Sequence, residues 1–225
     1  MNLNTLRKPL VELVGTFLFV LAGTASVVAN AGSNGALGPV GIAVAHGLAL
    51  AIVVTATMNI SGGHLNPAVT AGMLLVKRID PKTAGLYVAA QLVGAVLASF
   101  VVKALLPWGA ANAVSGGTPQ LSAHVAMFQG VALEAVFTFL LVSAVFGTAV
   151  AADAPKVGGF GIGLAVTVSA LAIGPFTGAA LNPARAFGPA LAFGEWHAQA
   201  AYWLGPLIGG GLAALLWDRV LLKKS

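Results

Sequence analysis

The stretch Ser61–Gly72 reads SGGHLNPAVTAG, and the stretch Thr177–Gly188 reads TGAALNPARAFG. Each places Asn-Pro-Ala after a run of small residues and before a short apolar segment. Because Asn favours the helix N-cap and Pro the first helical position, each tripeptide predicts the start of a helix. The segments that follow, Pro67–Val76 and Pro183–Phe193, would each form a helix about 15 Å long, which is half the thickness of a bilayer core.

The composition is that of an integral membrane protein. Of the 225 residues, 58% are hydrophobic and 8% are charged, and the mean hydropathy is +0.94. A soluble domain carries about 25% charged residues, whereas no Asp, Glu, Lys or Arg occurs from Leu13 to Val76. Six apolar stretches reach the about 20 residues that a spanning helix needs, and none alternates like a barrel strand. The predicted spans are Pro9–Ala31, Val40–Ile60, Thr83–Leu106, His124–Val150, Val157–Phe176 and His197–Leu222.

The basic residues predict the orientation of these spans. Nine of the eleven Lys and Arg residues fall at ends or loops of one side, and only Lys103 and Arg185 fall elsewhere. Positive charge marks the cytoplasmic side, so both termini are expected there, with the first span retained in the membrane. The net charge of +5 is thus a topology signal, and no clustered face for nucleic acid is evident. The nine residues are Arg7, Lys8, Lys77, Arg78, Lys82, Lys156, Arg219, Lys223 and Lys224.

Several function classes find no support in the sequence. There is no cysteine, which excludes disulfides and thiolate chemistry. The four histidines and six carboxylates are scattered without the spacing of metal ligands, and neither a phosphate loop nor a nucleophile elbow occurs. We therefore expect no catalytic residue, no metal and no cofactor.

The chain repeats itself. VELVGTFLFV from Val11 resembles ALEAVFTFLLV from Ala132, so that Glu12 matches Glu134, 122 residues later. Gln91 matches Pro206 and the two motif asparagines match each other, at separations of 115 and 116 residues. Each half holds three spans, an odd number, so the second half must be inverted in the bilayer, which places the functional site at the midplane between the halves. We expect one channel domain, residues 1–225, with repeats at about 1–107 and 124–225.

With these features the chain resembles the aquaporin (major intrinsic protein) family over essentially its full length. The segments ISGGHLNPAVT and LNPARAFGPAL match the family's two loops, and the second motif continues to Arg185. The resemblance implies six transmembrane helices plus two half-membrane re-entrant helices in an inverted repeat. It also implies a passive channel for water in a lipid membrane and a homotetramer with one pore per subunit.

The same resemblance implies roles for the two motifs. Each Asn caps its half-helix through the side-chain oxygen, which would leave two amide hydrogens to orient a passing water and interrupt the proton wire. The two helix N-termini would repel cations at the midplane. The motif residues are Asn66, Pro67, Ala68, Asn182, Pro183 and Ala184, and the expected pore-lining carbonyls are those of Gly62, Gly63, His64, Gly178, Ala179 and Ala180.

Glu12, Glu134 and Gln91 are polar residues at membrane depth. Each carboxylate in mid-helix costs about 2.5–3.5 kcal/mol on insertion scales, so each needs a purpose. We expect the two glutamates to accept hydrogen bonds from the irregular loops, which lack internal partners. A proton relay is the alternative. Gln91 either also forms hydrogen bonds with the irregular loops or stabilises helix packing.

The outer filter implied by the resemblance consists of four positions at fixed offsets from the motif asparagines. They are His46, Ala170, Ala179 and Arg185. Strict water channels of the family place Phe at the first position and His at the second, so this set resembles the histidine-bearing filters of plant vacuolar members. Two alanines predict a wider opening, which would admit ammonia, hydrogen peroxide or glycerol beside water.

Positions beyond the filter favour the water-channel type. Dedicated glycerol facilitators of the family carry Asp directly after the filter Arg and a basic residue four further on, whereas this chain has Ala186 and Ala190. The aromatic pair Tyr202-Trp203 is also typical of water channels. We therefore predict a water channel that leaks small neutral solutes.

The alternatives are a broader solute facilitator, a coupled secondary transporter and a junctional membrane protein. The segment Pro107–Ala123, rich in Gly, Ser and Ala, is expected to be a bland loop, which argues against a junctional role. The compact loops favour a plasma or inner membrane. His64 is either a pH-sensitive plug or a loop-packing residue, with the second preferred.

Overall fold

The fold is entirely helical over the described residues. The computed structural model describes residues 3–222, with side chains from Leu6 onward, so Lys223 and Lys224 lie outside the described residues. The helices are α1 Leu3–Gly32, α2 Gly38–Ser61, α3 Pro67–Leu75, α4 Pro81–Leu105, α5 Trp108–Ala113, α6 Met127–Val145, α7 Phe160–Thr177, α8 Pro183–Phe193 and α9 Gln199–Leu216.

Six of these helices are long and apolar enough to cross a membrane. They are α1, α2, α4, α6, α7 and α9, and α6 and α9 each end in a π-helical turn, at Phe146–Val150 and Trp217–Leu221. The predicted architecture of six spans and two half-membrane helices is thus confirmed. Boundaries differ by up to six residues, since α1 begins at Leu3 rather than Pro9. Hydropathy marks the membrane crossing, whereas the helix continues through the polar leader.

The segment Pro107–Ala123 is not the bland loop that its composition predicts. It contains α5 and a 3₁₀ turn at Ser115–Gly117, and both pack against α1. Gly116 and Gly117 are buried. The prediction was wrong because small residues carry no periodic pattern, while here they allow close packing of backbone onto a neighbouring helix.

The two halves exchange their half-helices. Within each half, α1 packs on α4 and α6 packs on α9, and α2 meets α7 between the halves. The half-helix α3 packs mainly against α9 of the second half, and α8 against α4 of the first. Gly188 permits that last approach, because a Cβ built on it would lie 2.4 Å from the carbonyl oxygen of Ala95.

Charged side chains form contacts at the end of each half-helix that lies away from the midplane. Beyond α3, Arg78 Nε lies 2.6 Å from Asp218 Oδ1 at the end of α9. At the opposite membrane face, Lys103 Nζ donates to the carbonyl of Ala192 at 2.5 Å, in the last turn of α8. A cation at a helix C-terminus is favourable for the helix dipole. Both half-helices are therefore fixed at the end away from the midplane.

Candidate functional site: two half-helices meeting in a pore

The half-helices begin at the two motif asparagines, as predicted. Asn66 Oδ1 accepts from the N–H of Ala68 at 2.8 Å. Asn182 Oδ1 accepts from Ala184 N at 3.0 Å and from Arg185 N at 3.3 Å. Both asparagines have extended backbone and are followed by Pro at the first helical position. Each tripeptide thus acts as a helix start, and both asparagines are 3% exposed, deep in the molecule.

Each asparagine also reaches across to the other half. Asn66 Nδ2 donates to the carbonyl of Leu181 at 2.9 Å, and Asn182 Nδ2 donates to the carbonyl of Leu65 at 2.9 Å. The expectation of two free amide hydrogens was therefore wrong, because one hydrogen of each amide holds the two loops together. One hydrogen of each remains for a passing water.

The two accepting leucines have an unusual backbone. Leu65 has φ 51° and Leu181 has φ 53°, a left-handed conformation that branched side chains rarely adopt. Such strain persists only where the surroundings enforce it, and it clusters at functional sites. The matching angles show that the two loops follow the same path in both repeats.

Glu12 is the acceptor at the centre of the first loop. Its Oε1 accepts from Ser61 Oγ at 2.6 Å and from His64 N at 3.0 Å. Its Oε2 accepts from Leu65 N at 2.6 Å and from Gln91 Nε2 at 2.9 Å. The carboxylate is fully buried, and its contacts are those that a loop acceptor requires.

Glu134 makes the equivalent contacts in the second loop. Its Oε1 accepts from Thr177 Oγ1 at 2.7 Å and from Ala180 N at 2.9 Å. Its Oε2 accepts from Leu181 N at 2.7 Å. Leu181 is therefore held at both of its backbone polar groups, by Glu134 through the amide and by Asn66 through the carbonyl.

Two buried tyrosines complete this arrangement, and the sequence analysis missed them. Tyr87 donates its hydroxyl to the carbonyl of Ser61 at 2.7 Å, and Tyr202 donates to that of Thr177 at 2.8 Å. They are 115 residues apart, the separation already seen for Gln91 and Pro206. The repeat spacing could have found them, although Tyr202 was noted only as part of an aromatic pair.

Gln91 breaks the symmetry of the two loops. Its Nε2 donates to Thr70 Oγ1 at 3.0 Å as well as to Glu12, and the matching Pro206 has no side-chain donor. Thr70 donates its own proton to the carbonyl of Asn66 at 3.1 Å. His64 Nδ1, 3.1 Å from Thr70 Oγ1, must then be the donor of that contact. His64 keeps Nε2 as an acceptor.

The filter positions His46 and Arg185 lie in direct contact. Arg185 Nη2 is 3.2 Å from His46 Nε2, and Arg185 Nη1 donates to the carbonyl of Gly117 at 2.9 Å. His46 Nδ1 lies 2.9 Å from the carbonyl of Ile42. A carbonyl only accepts, so Nδ1 carries the proton and Nε2 accepts from the guanidinium. Arg185 Nε, also buried, has no partner among the described residues.

An outer cavity of about 460 Å³ contains all four filter positions in its lining. Gly178 and Ala179 line it too. The far wall of the cavity was not predicted from the sequence. It is formed by the segment that was expected to be a loop, through Gly117, Thr118, Pro119 and Gln120. A backbone carbonyl such as that of Gly117 leaves no signal in the composition.

An inner cavity of about 20 Å³ lies at the meeting point of the half-helices. Both motif asparagines line it, together with Gly63, His64 and Ala180. Room for a single water needs about 10–15 Å³ on this measure, so this cavity has room for one water. Gly62, expected beside these residues, is exposed and lines neither cavity.

Comparison with known proteins finds similar sequences and a similar fold over nearly the whole chain. The sequence profile of the major intrinsic protein family matches residues 1–217. Aquaporin TIP4-4 of Zea mays is 44% identical over 230 residues, which cover 97% of this chain and 88% of that protein. Aquaporin TIP2-1 of Arabidopsis thaliana is 44% identical over 239 residues, covering 100% and 91%. The X-ray structure of the aquaglyceroporin from Plasmodium falciparum superimposes with a TM-score of 0.79 at 23% identity, covering 96% of this chain and 97% of that one.

Proposed function

The chain belongs to the major intrinsic protein family, and from that premise we propose that it is a passive membrane channel for water that also conducts small uncharged solutes. The observation that carries the proposal is the pair of crossed hydrogen bonds, from the side-chain amides of Asn66 and Asn182 to the opposite loops, beside a cavity with room for one water. This arrangement directs hydrogen-bond donors at the permeating file, which favours water over a cation.

Ion exclusion follows from the same groups. Each half-helix presents about half a positive charge at its N-terminus, and both N-termini lie beside the inner cavity. A water that accepts from the remaining amide hydrogens of both asparagines directs its own hydrogens away, which interrupts proton transfer along the file. Arg185 adds a full positive charge at the outer cavity.

The proposal is tested in proteoliposomes that contain a pH-sensitive dye. We expect rapid osmotic water flow together with a proton leak no greater than that of empty vesicles. A proton conductance that rises with the amount of protein would contradict the exclusion mechanism. Water flow that depends on an imposed sodium or proton gradient would instead favour a coupled transporter.

The filter has one polar and one apolar wall, which favours passage of small neutral solutes. Arg185 and His46 supply the polar side, while Ala170 and Ala179 supply little more than methyl groups. Arg185 Nη1 and Nη2 each carry a second hydrogen that can donate to a hydroxyl or amine of a solute. Glycerol, ammonia and hydrogen peroxide are the solutes we propose beside water, and a broader facilitator is the second candidate function.

We predict that His46→Phe lowers glycerol permeability by about tenfold or more, the scale on which a reshaped pocket discriminates substrates, and water permeability much less. The larger apolar ring narrows the opening and removes the acceptor of Arg185 Nη2. Light scattering on proteoliposomes measures both permeabilities in one preparation. Equal loss of water and glycerol permeability would show that His46 does not determine the selectivity of the filter.

We predict that mercurials leave water permeability unchanged, because the chain contains no cysteine and they bind thiols. The matched control is Ala179→Cys, which places a thiol in the outer cavity beside Arg185. Mercuric chloride should block this variant, with recovery when an excess of a small thiol removes the metal. Block of the unmodified protein by low mercury would show that another group of the pore binds the metal.

Assembly and location complete the proposal. The chain is an integral multi-pass membrane protein, and we propose a homotetramer of single channel domains, each with its own pore and lipid around it. Native mass spectrometry from detergent tests the subunit count. The proposed location in a plasma or inner membrane is based on the compact loops alone. The relatives of the plant TIP type do not support that location.

A further inference from the structure

Gly23 of α1 lies directly behind the imidazole ring of His46. A Cβ built on Gly23 would lie 2.6 Å from both Cδ2 and Nε2 of that ring. Carbon atoms that are not bonded to one another approach only to about 3.5 Å without repulsion. The ring therefore occupies the space that any side chain at position 23 would need.

The ring is held on three sides. Nδ1 bonds the carbonyl of Ile42, Nε2 accepts from Arg185, and the edge of Phe19 meets the ring with centroids 6.4 Å apart. The ring also lines the outer cavity. A ring displaced from α1 moves toward the permeating solute.

The same turn of α1 supports the second partner of Arg185. A Cβ on Gly117 would lie 3.2 Å from the Cα of Thr24, so the loop rests on this turn without an intervening side chain. The carbonyl of Gly117 accepts from Arg185 Nη1. Gly23 and Thr24 thus support both groups that orient the guanidinium.

We propose that Gly23 is a specificity-determining positioning residue. Its missing side chain lets His46 recede into α1, and the depth of that recess sets the width of the filter opposite Ala170 and Ala179. With glycine at this position, the filter is wide enough to admit solutes larger than water. A side chain at this position would narrow the filter so that only water passes. This inference rests on the proposed channel function.

The test compares Gly23→Ala, His46→Ala and the double variant in proteoliposomes. We expect Gly23→Ala to lower the ratio of glycerol to water permeability about tenfold, again the scale of pocket discrimination. In the His46→Ala background the same change should leave that ratio within about twofold, because the ring that it displaces is gone. Residues in direct contact are energetically coupled, so the effects of the two changes should not add.

The matched control is Gly161→Ala, at the end of α7 that lies away from the outer cavity. Its Cβ would lie 2.8 Å from Thr148 Cγ2, a similar clash with a side chain that lines neither cavity. The permeability ratio should not change in this variant. A change of similar size there would assign the Gly23 effect to general packing.

Each other outcome decides the proposal. An unchanged ratio in Gly23→Ala, or an equal fall in both backgrounds, overturns it. If Gly23→Ala fails to fold, the double variant should fold, and its failure to do so also overturns the inference. If the protein conducts water but no glycerol, the inference is overturned while the water channel stands, because Gly23 then does not open the filter to larger solutes. Absence of any water flow would contradict the proposed function itself.

Discussion

Replacing Arg185 by alanine is expected to raise glycerol permeability about tenfold or more and to admit small cations, with little effect on water flow. The side chain is 3% exposed and is the one formally charged group among the residues that line the outer cavity. Its loss widens the filter between His46 and Gly117 and removes the positive charge that a cation must pass. Light scattering measures glycerol entry, and a fluorescent pH dye measures ammonium and proton movement.

Arg185→Lys is the matched variant that separates the two effects. Lysine keeps the charge but cannot form the fork that bonds both His46 Nε2 and the carbonyl of Gly117. We expect cations to stay excluded while discrimination against glycerol relaxes. If Arg185→Ala leaves both glycerol and cation permeability unchanged, Arg185 is not the filter residue and the constriction lies elsewhere.

Replacing Glu134 by glutamine is expected to lower water permeability by more than tenfold and to lower the thermal stability of the protein. Three donors meet this buried carboxylate, and an amide offers one oxygen while turning an N–H toward a donor. A buried polar group left without its partner costs about 1–3 kcal/mol. The cost falls on Leu181, whose carbonyl holds Asn66, so the damage reaches the narrowest part of the pore.

Glu195→Gln is the control for this prediction. Glu195 accepts from His197 N at the outer surface, so the same chemical change there should leave both permeability and melting temperature unaltered. Water permeability of Glu134→Gln equal to that of the unmodified protein would contradict the loop-acceptor role. If that variant lost only a proton-dependent flux, the proton-relay alternative would be correct.

Much of the fold follows from local patterns that can be recognised in the sequence. Asn-Pro at membrane depth predicts where α3 and α8 begin, and both begin at the expected proline. The length and hydropathy of the spans predict the six crossings. The role of Glu12 and Glu134 is predictable because each repeat contains one of these glutamates and one irregular loop. The backbone N–H groups of that loop have no acceptors of their own.

What escaped prediction depends on contacts between distant segments. The crossed bonds of Asn66 and Asn182 end on leucine carbonyls more than a hundred residues away. The wall at Gly117 is backbone resting on α1. The recess at Gly23 exists only because α1 and α2 pack closely there. Some residues act by being small or through their main chain. Their role cannot be predicted from the chemistry of a side chain.

The most direct test of the central claim is osmotic water permeability in proteoliposomes, with glycerol permeability taken from the same preparation and from empty vesicles. We expect water flow far above that of empty vesicles, and glycerol entry that is slower than water but clearly mediated by the protein. Folded protein whose vesicles shrink no faster than empty ones would contradict the claim that the two half-helices enclose a conducting pore.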